Sequence, residues 1–141
     1  MILHLQYLKP PSQAHRAYAK VLYEKRGEAI YVPRVTVVLP GWQPKANECH
    51  ENCAEWHLRQ GNCKIVHGWV CVDASEIGFY RFSAHSVIED SSGSLFDITP
   101  TSITSELLFL SGGLDTDSYF EATNILHEYL SVSNLDHLIV D

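Results

Sequence analysis

Two stretches rich in aromatic and β-branched residues, Lys64–Asp73 and Ile77–Glu89, follow one another closely, and a third, Leu95–Thr99, comes after the turn sequence Asp90-Ser91-Ser92-Gly93. Runs of this kind bounded by turn-formers are strand signatures, and connections this short join antiparallel neighbours. The middle of the chain is therefore predicted to be a three-stranded meander. A helix precedes it, with Asn47 as candidate N-cap and Gly61-Asn62 as the stop after Gln60. Upstream, Pro10-Pro11, Ser12 as N-cap and Ala14, Ala17, Val21 and Leu22 at helical spacing predict a helix over 12–27 that Gly27 closes. Ala29–Leu39 reads as a strand, its Pro33 arguing for an edge or a bend. Beyond Pro100 the signals weaken: Phe120, Ile125, Leu126 and Tyr129 predict a helix over about 117–131, and Leu135–Val140 a last strand or docking tail. The expectation is one α+β domain over 1–141 with its core at 41–100, a helix packed on an antiparallel sheet.

The 141 residues, 45% of them hydrophobic, suffice for a core that needs no disulfide staples. Ten Lys+Arg against seventeen Asp+Glu give a net charge of −7, and no basic run exists to track a phosphate backbone, so nucleic acid is not an expected partner. No stretch of about 18 apolar residues occurs, and Met1–Pro10 lacks the pattern of a signal peptide; a soluble, cytoplasmic chain without a membrane partner is expected. The sequence carries no signal for an oligomeric state.

All four Cys lie between Cys49 and Cys71, and four of the eight His (His50, His57, His67, His85) fall in or just after that stretch. Free thiols or a metal site are favoured there over disulfides. For thiol chemistry the first candidate is Cys49, in the first turn of its helix, where the positive end of the dipole and unpaired backbone N–H groups favour the thiolate. Cys53, one turn further in, is expected to pack beneath. Alternation along the strand puts Arg81, Ser83, His85 and Glu89 on a more polar face than Tyr80, Phe82, Ala84, Ser86 and Ile88, so His85 is expected to face a cleft. Asp97 falls on the same face if the next strand pairs without a bulge, where it could orient the His85 ring or simply cap the Thr99-Pro100 turn. Gln43, six residues before Cys49, could join the Cys49 amide as an oxyanion donor, or be an exposed loop residue.

Two other readings stand beside this one. Cys49, Cys53 and His57 recur every four residues along one helix face and could hold zinc, with His50, Cys63, His67 or Cys71 as further ligands. Alternatively the domain is a non-catalytic interaction module whose Glu48, Glu51 and Glu55 form a solvated helix face. Those acids help the helix start and oppose the thiolate at Cys49.

The order of a helix-borne Cys, a His on a strand and an Asp on the following strand, in Glu48-Cys49-His50-Glu51-Asn52-Cys53, Ala84-His85-Ser86-Val87-Ile88 and Leu95-Phe96-Asp97-Ile98-Thr99-Pro100, resembles the core of the transglutaminase-like branch of the papain-like superfamily. The likeness spans roughly Gly41 to Pro100, and Asp-Ile-Thr-Pro is similar to the Asp-Pro-Thr that often closes that core. It implies Cys49 as nucleophile, His85 as general base and Asp97 as its orienter, while Gln43 resembles the glutamine of papain-like peptidases. It further implies a cysteine-dependent hydrolase or acyltransferase, without a cofactor, acting on a peptide, protein or small amide or thioester. This sequence departs from the family in its short His–Asp gap, in Ser86 where an aromatic usually follows the His, and in its small size.

Overall fold

The computed structural model describes residues 13–74, 76, 79–101 and 106–121. The Ser12 cap, most of the helix expected over 117–131 and the segment Leu135–Val140 lie outside the described residues; residues 116–121 are helical. The architecture is α+β. Helix α1 (Gln13–Glu24) leads through a short 3-10 turn (Arg26–Glu28) to strand β1 (Ile30–Val32), and helix α2 (Cys49–Gln60) precedes β2 (Lys64–Ala74), β3 (Phe79–Glu89), β4 (Leu95–Phe96) and β5 (Leu107–Ser111). The strands form one antiparallel sheet in the order β1-β5-β2-β3-β4.

The expected meander is the backbone of this sheet. β2 and β3 pair from Lys64↔Glu89 to Ala74↔Phe79, and β4 continues the sheet at Ile88↔Phe96. Strand alternation gives the sheet two apolar faces. Trp69, Cys71, Tyr80 and Phe82 pack with Ala19 and Leu22 of α1, Leu110 and Tyr119. Val87 packs with Val32, Leu107 and Phe109. Helix α2 lies on β3 and β2, its Cys53 wedged against Ile88 and Ile98.

Four local expectations are corrected. The buried side of α1 is Tyr18, Ala19, Leu22 and Tyr23, whereas Ala17 and Val21 of the expected stripe face solvent. The strand expected over Ala29–Leu39 forms a continuous ladder only at Ile30–Val32, because Pro33 has no N–H to carry it onward, and beyond it only isolated bridges at Arg34 and Leu39 remain. Asn47 does not cap α2: it sits in the left-handed region at φ 64°, and Glu48 occupies the N-cap. Strand β5 falls where the sequence signals weaken. Leu107-Leu108-Phe109-Leu110 shows no alternation, and the reason is burial on both sides: Leu107 and Phe109 enter one core and Leu110 the other.

The two edges of the sheet meet just past their strands. Asp97 N donates to the Pro33 carbonyl (2.9 Å) and Val35 N to the Asp97 carbonyl (2.8 Å), a parallel bridge that joins the exit of β1 to the exit of β4. Accumulated strand twist thus curls the five strands until they nearly close, with Asp97 at the seam.

Close approach of β5 to β2 makes Gly68 a fixed requirement. A Cβ there would stand 2.5 Å from the Leu110 carbonyl oxygen and 2.5 Å from Phe109 Cζ. Gly68→Ala is expected to cost about 1–3 kcal/mol through forced strand displacement, read as a lowered thermal unfolding midpoint; an unchanged midpoint would contradict the packing described.

Candidate active site

Cys49 opens α2, and the N-cap Glu48 makes no side-chain cap bond. The first-turn N–H groups are therefore left to a thiolate or to an oxygen beside it. What fixes this helix end is Asn52, one turn on and buried. Its Oδ1 accepts from Lys45 N (3.0 Å), and its Nδ2 donates to the Lys45 carbonyl (2.8 Å) and to Thr99 Oγ1 (3.1 Å). One amide side chain thus ties the loop before α2, the helix itself and the segment after β4.

The β3–β4 register extends to place Asp97 beside Val87, so His85 is its diagonal neighbour on the same face. His85 Nε2–H donates to Asp97 Oδ1 at 3.0 Å. Asp97 Oδ1 also accepts from Thr99 N (3.2 Å), and Oδ2 receives Arg34 Nη1 at 2.8 Å. The orienting and turn-capping readings of Asp97 are both realised by one carboxylate. Its side chain is fully buried rather than set on an open face, and that of His85 is 15% exposed. With Nε2 occupied by Asp97, Nδ1 is the nitrogen left for the Cys49 thiol, with which the ring shares a hydrogen bond.

Electrostatics separates the two partners. Burial works against a charged Cys49, but hydrogen bonds and charge from His50 and His85 outweigh it and bring the thiol down to about 6. Burial likewise opposes a charged His85, and the bonds and charges of Asp97 and Cys49 outweigh it and raise the ring to about 9. Between those values the resident state is thiolate and imidazolium. The other thiols behave oppositely: burial pushes Cys53 far above the ordinary thiol range, Cys71 up to about 11, and Cys63 upward. Iodoacetamide at neutral pH is expected to label Cys49 first and to reach Cys53 and Cys71 only on unfolding, as peptide mapping by mass spectrometry would show. Labelling of Cys53 at the rate of Cys49 in the folded protein would refute this ordering.

Of the remaining sequence candidates, Gln43 is exposed and lines a cleft of about 580 Å³ with Arg34, Thr36, Val37, Pro100 and Asp97. Cys49 and His85 do not line it, so the cleft adjoins the site at Asp97. Of the zinc candidates, Cys53 is enclosed with Ile88 and Ile98, and His57 Nδ1 stands 3.7 Å from Cys63 Sγ. Among the described residues no group of three or more His, Cys, Asp or Glu could hold a metal ion. Also among them, no helix is long and apolar enough to cross a membrane.

Several residues at the site were not singled out from sequence as parts of a thiol site. Arg34 reaches Asp97 across the seam, and His50 meets Ser86 at 2.6 Å. The Tyr119 hydroxyl donates to the Gly68 carbonyl (2.7 Å) and accepts from His85 N (3.1 Å), fixing the backbone of the strand that carries His85. Only His67 had a legible signal, since hairpin register sets it directly opposite Ser86.

Compared with known proteins, the chain matches no family profile, no curated protein and no solved structure. The chemistry of the site accordingly rests on its own geometry.

Proposed function

We propose that the protein is a cysteine-dependent hydrolase or acyltransferase acting on an amide or thioester, with Cys49 as nucleophile, His85 as acid and base, and Asp97 as the group that orients His85. The observation that carries this reading is the His85 ring, bonded through Nε2 to buried Asp97 at 3.0 Å and sharing a hydrogen bond with a thiol that opens a helix. A merely structural cysteine has no use for a histidine whose tautomer is set by a carboxylate. The Cys49 sulfur attacks the carbonyl carbon, the C=O pair moves to oxygen, and the first-turn N–H groups of α2 receive the developing charge. Collapse breaks the bond to the leaving group, which takes the proton from His85. Water or an amine, deprotonated by His85, then resolves the thioester.

The cleft beside Asp97 and Gln43 favours a peptide, protein or small amide whose acyl portion extends away from the sulfur. A likeness to the transglutaminase-like, papain-like proteins agrees with the helix–strand–strand order of the three residues. The test is direct: incubation with an activated ester or thioester, followed by intact-mass measurement, should give a single acyl adduct that maps to Cys49 and is missing from Cys49→Ser. An adduct distributed over several thiols, or none from the folded protein, would remove the proposal.

A further inference from the structure

A second imidazole stands at Cys49, and the catalytic scheme above does not use it. His50 Nδ1 lies 2.6 Å from Ser86 Oγ, and His67 Nδ1 lies 2.6 Å from the same oxygen. Ser86 is fully buried, so water does not share the work. A hydroxyl has one proton to give. It can donate to one Nδ1 only, and the other ring must then carry its proton on Nδ1 and donate to Oγ. The two neutral rings are thereby forced into opposite tautomers. Their surroundings hold them there: His67 stacks on Tyr119 (centroids 5.0 Å apart, 19° between planes), and Phe120 meets both rings edge-on at 5.2 Å and 4.9 Å.

We propose, resting on the reading of Cys49 as nucleophile, that His50, Ser86 and His67 form a proton relay serving that sulfur, with His50 as a second catalytic imidazole beside His85. With His50 Nδ1 occupied by Ser86, Nε2 is the nitrogen left to bond the neighbouring thiol. The transfer balances. A proton enters at His67 Nε2, the His67 Nδ1 proton passes to Ser86 Oγ, the Ser86 proton passes to His50 Nδ1, and the His50 Nε2 proton reaches the thiolate. Each of the three side chains is neutral before and after, and both tautomers invert; the reverse sequence carries the thiol proton out. His67 is only half-buried, so the far end of the relay can exchange with solvent while substrate covers the sulfur.

Among the described residues, the titratable groups that face this relay are Cys49 on α2, His85 on β3 and Tyr119. Burial keeps the Tyr119 hydroxyl protonated well beyond neutral pH, and burial together with His50 pushes His67 below the ordinary histidine range. The relay runs while both rings are neutral. It also leaves His85 free to serve the leaving group, which separates thiol ionisation from substrate protonation.

The relay is tested on the full chain labelled with 15N at histidine. Long-range 1H–15N correlation spectra above pH 7 should show His50 and His67 in opposite neutral tautomers. Ser86→Ala should abolish that opposition. His67→Phe, which keeps the ring stack on Tyr119 should Ser86→Ala fail to fold, should cut the relay from solvent and slow acyl transfer from an activated thioester by roughly tenfold or more, with the pH midpoint of Cys49 alkylation kept, because the Ser86 hydroxyl then donates to His50 Nδ1 alone and leaves Nε2–H toward the sulfur. Identical tautomers on the two rings, or an unchanged acyl-transfer rate in His67→Phe, would overturn the relay. Failure of the nucleophile reading looks different: Cys49 would alkylate with an ordinary thiol midpoint in the wild type, whatever the two tautomers are.

Discussion

Replacement of His85 by alanine is expected to move the pH midpoint of Cys49 alkylation by iodoacetamide upward by more than about one unit, toward the ordinary thiol value near 8.5. Cys49 is an acid held down at about 6, so its thiolate is present above that pH and lost below it. His85 is a base held up at about 9, so its imidazolium is present below that pH and lost above it. Alkylation needs only the thiolate and should show the lower limb alone. Acyl transfer also needs a proton for the leaving group and should be bell-shaped, with limbs near about 6 and 9.

In the proposed mechanism His85→Ala removes both a stabiliser of the thiolate and the proton carrier. The alkylation rate near neutral pH changes modestly, because a thiolate of higher pKa is intrinsically more nucleophilic. The acyl-transfer rate should fall by about a hundred- to ten-thousand-fold. An alkylation midpoint that His85→Ala leaves in place would show that the imidazole does not act on this sulfur. Because His50 also bonds the thiol, the variant midpoint should stop short of that of a free cysteine.

Asp97→Ala should be the most destabilising substitution at the site. The carboxylate is fully buried and holds His85 Nε2, Thr99 N and Arg34 Nη1 at once, and its backbone forms the seam between the sheet edges. Removing one partner of a buried pair leaves the other charge uncompensated, at about 3–5 kcal/mol. Arg34 is 21% exposed and can turn toward water, which lowers the expectation to about 2–4 kcal/mol. For a chain of this size that corresponds to a fall of roughly 6–12 °C in the thermal midpoint. Asp97→Asn keeps the shape and most of the hydrogen bonds, so it should unfold nearer the wild type while losing acyl transfer, since an amide does not stabilise the imidazolium. Equal activity in Asp97→Asn and wild type would reduce Asp97 to a structural clamp.

The contrast between these two experiments follows from how the site is built. His85 occupies an interior position of a long strand whose ladder to β2 survives loss of one side chain. Asp97 follows a strand of only two residues, Leu95–Phe96, and its place depends on contacts from Arg34, Pro33 and Val35. One substitution therefore reads chemistry with little loss of fold, and the other reads both.

Much of this arrangement is local in origin. The meander is legible because β-branched and aromatic residues recur between turn-formers, and the diagonal approach of His85 to Asp97 is legible because side chains alternate and the turn at Asp90–Gly93 sets the register. The start of α2 is legible to within two residues, although Glu48 rather than Asn47 takes the cap. Strand β5 is hidden, since a run buried on both faces has no period to read. So is the buried side of α1, where Ala17 and Val21 satisfy helical spacing as well as Ala19 and Leu22 do, and only the sheet chooses between them.

By itself the sequence determined which segments are helix and strand in the middle of the chain, and the order in which a helix-borne thiol, an imidazole and a carboxylate arrive along it. Tertiary structure alone decided that the carboxylate is buried, that Arg34 meets it from the far edge of the sheet, and that His50 and His67 share one hydroxyl. The physical reason is range. Periodicity and turn chemistry act over a few residues, whereas the seam at Asp97 and the bridge at Ser86 depend on how far a twisted sheet curls and where a helix end settles against it.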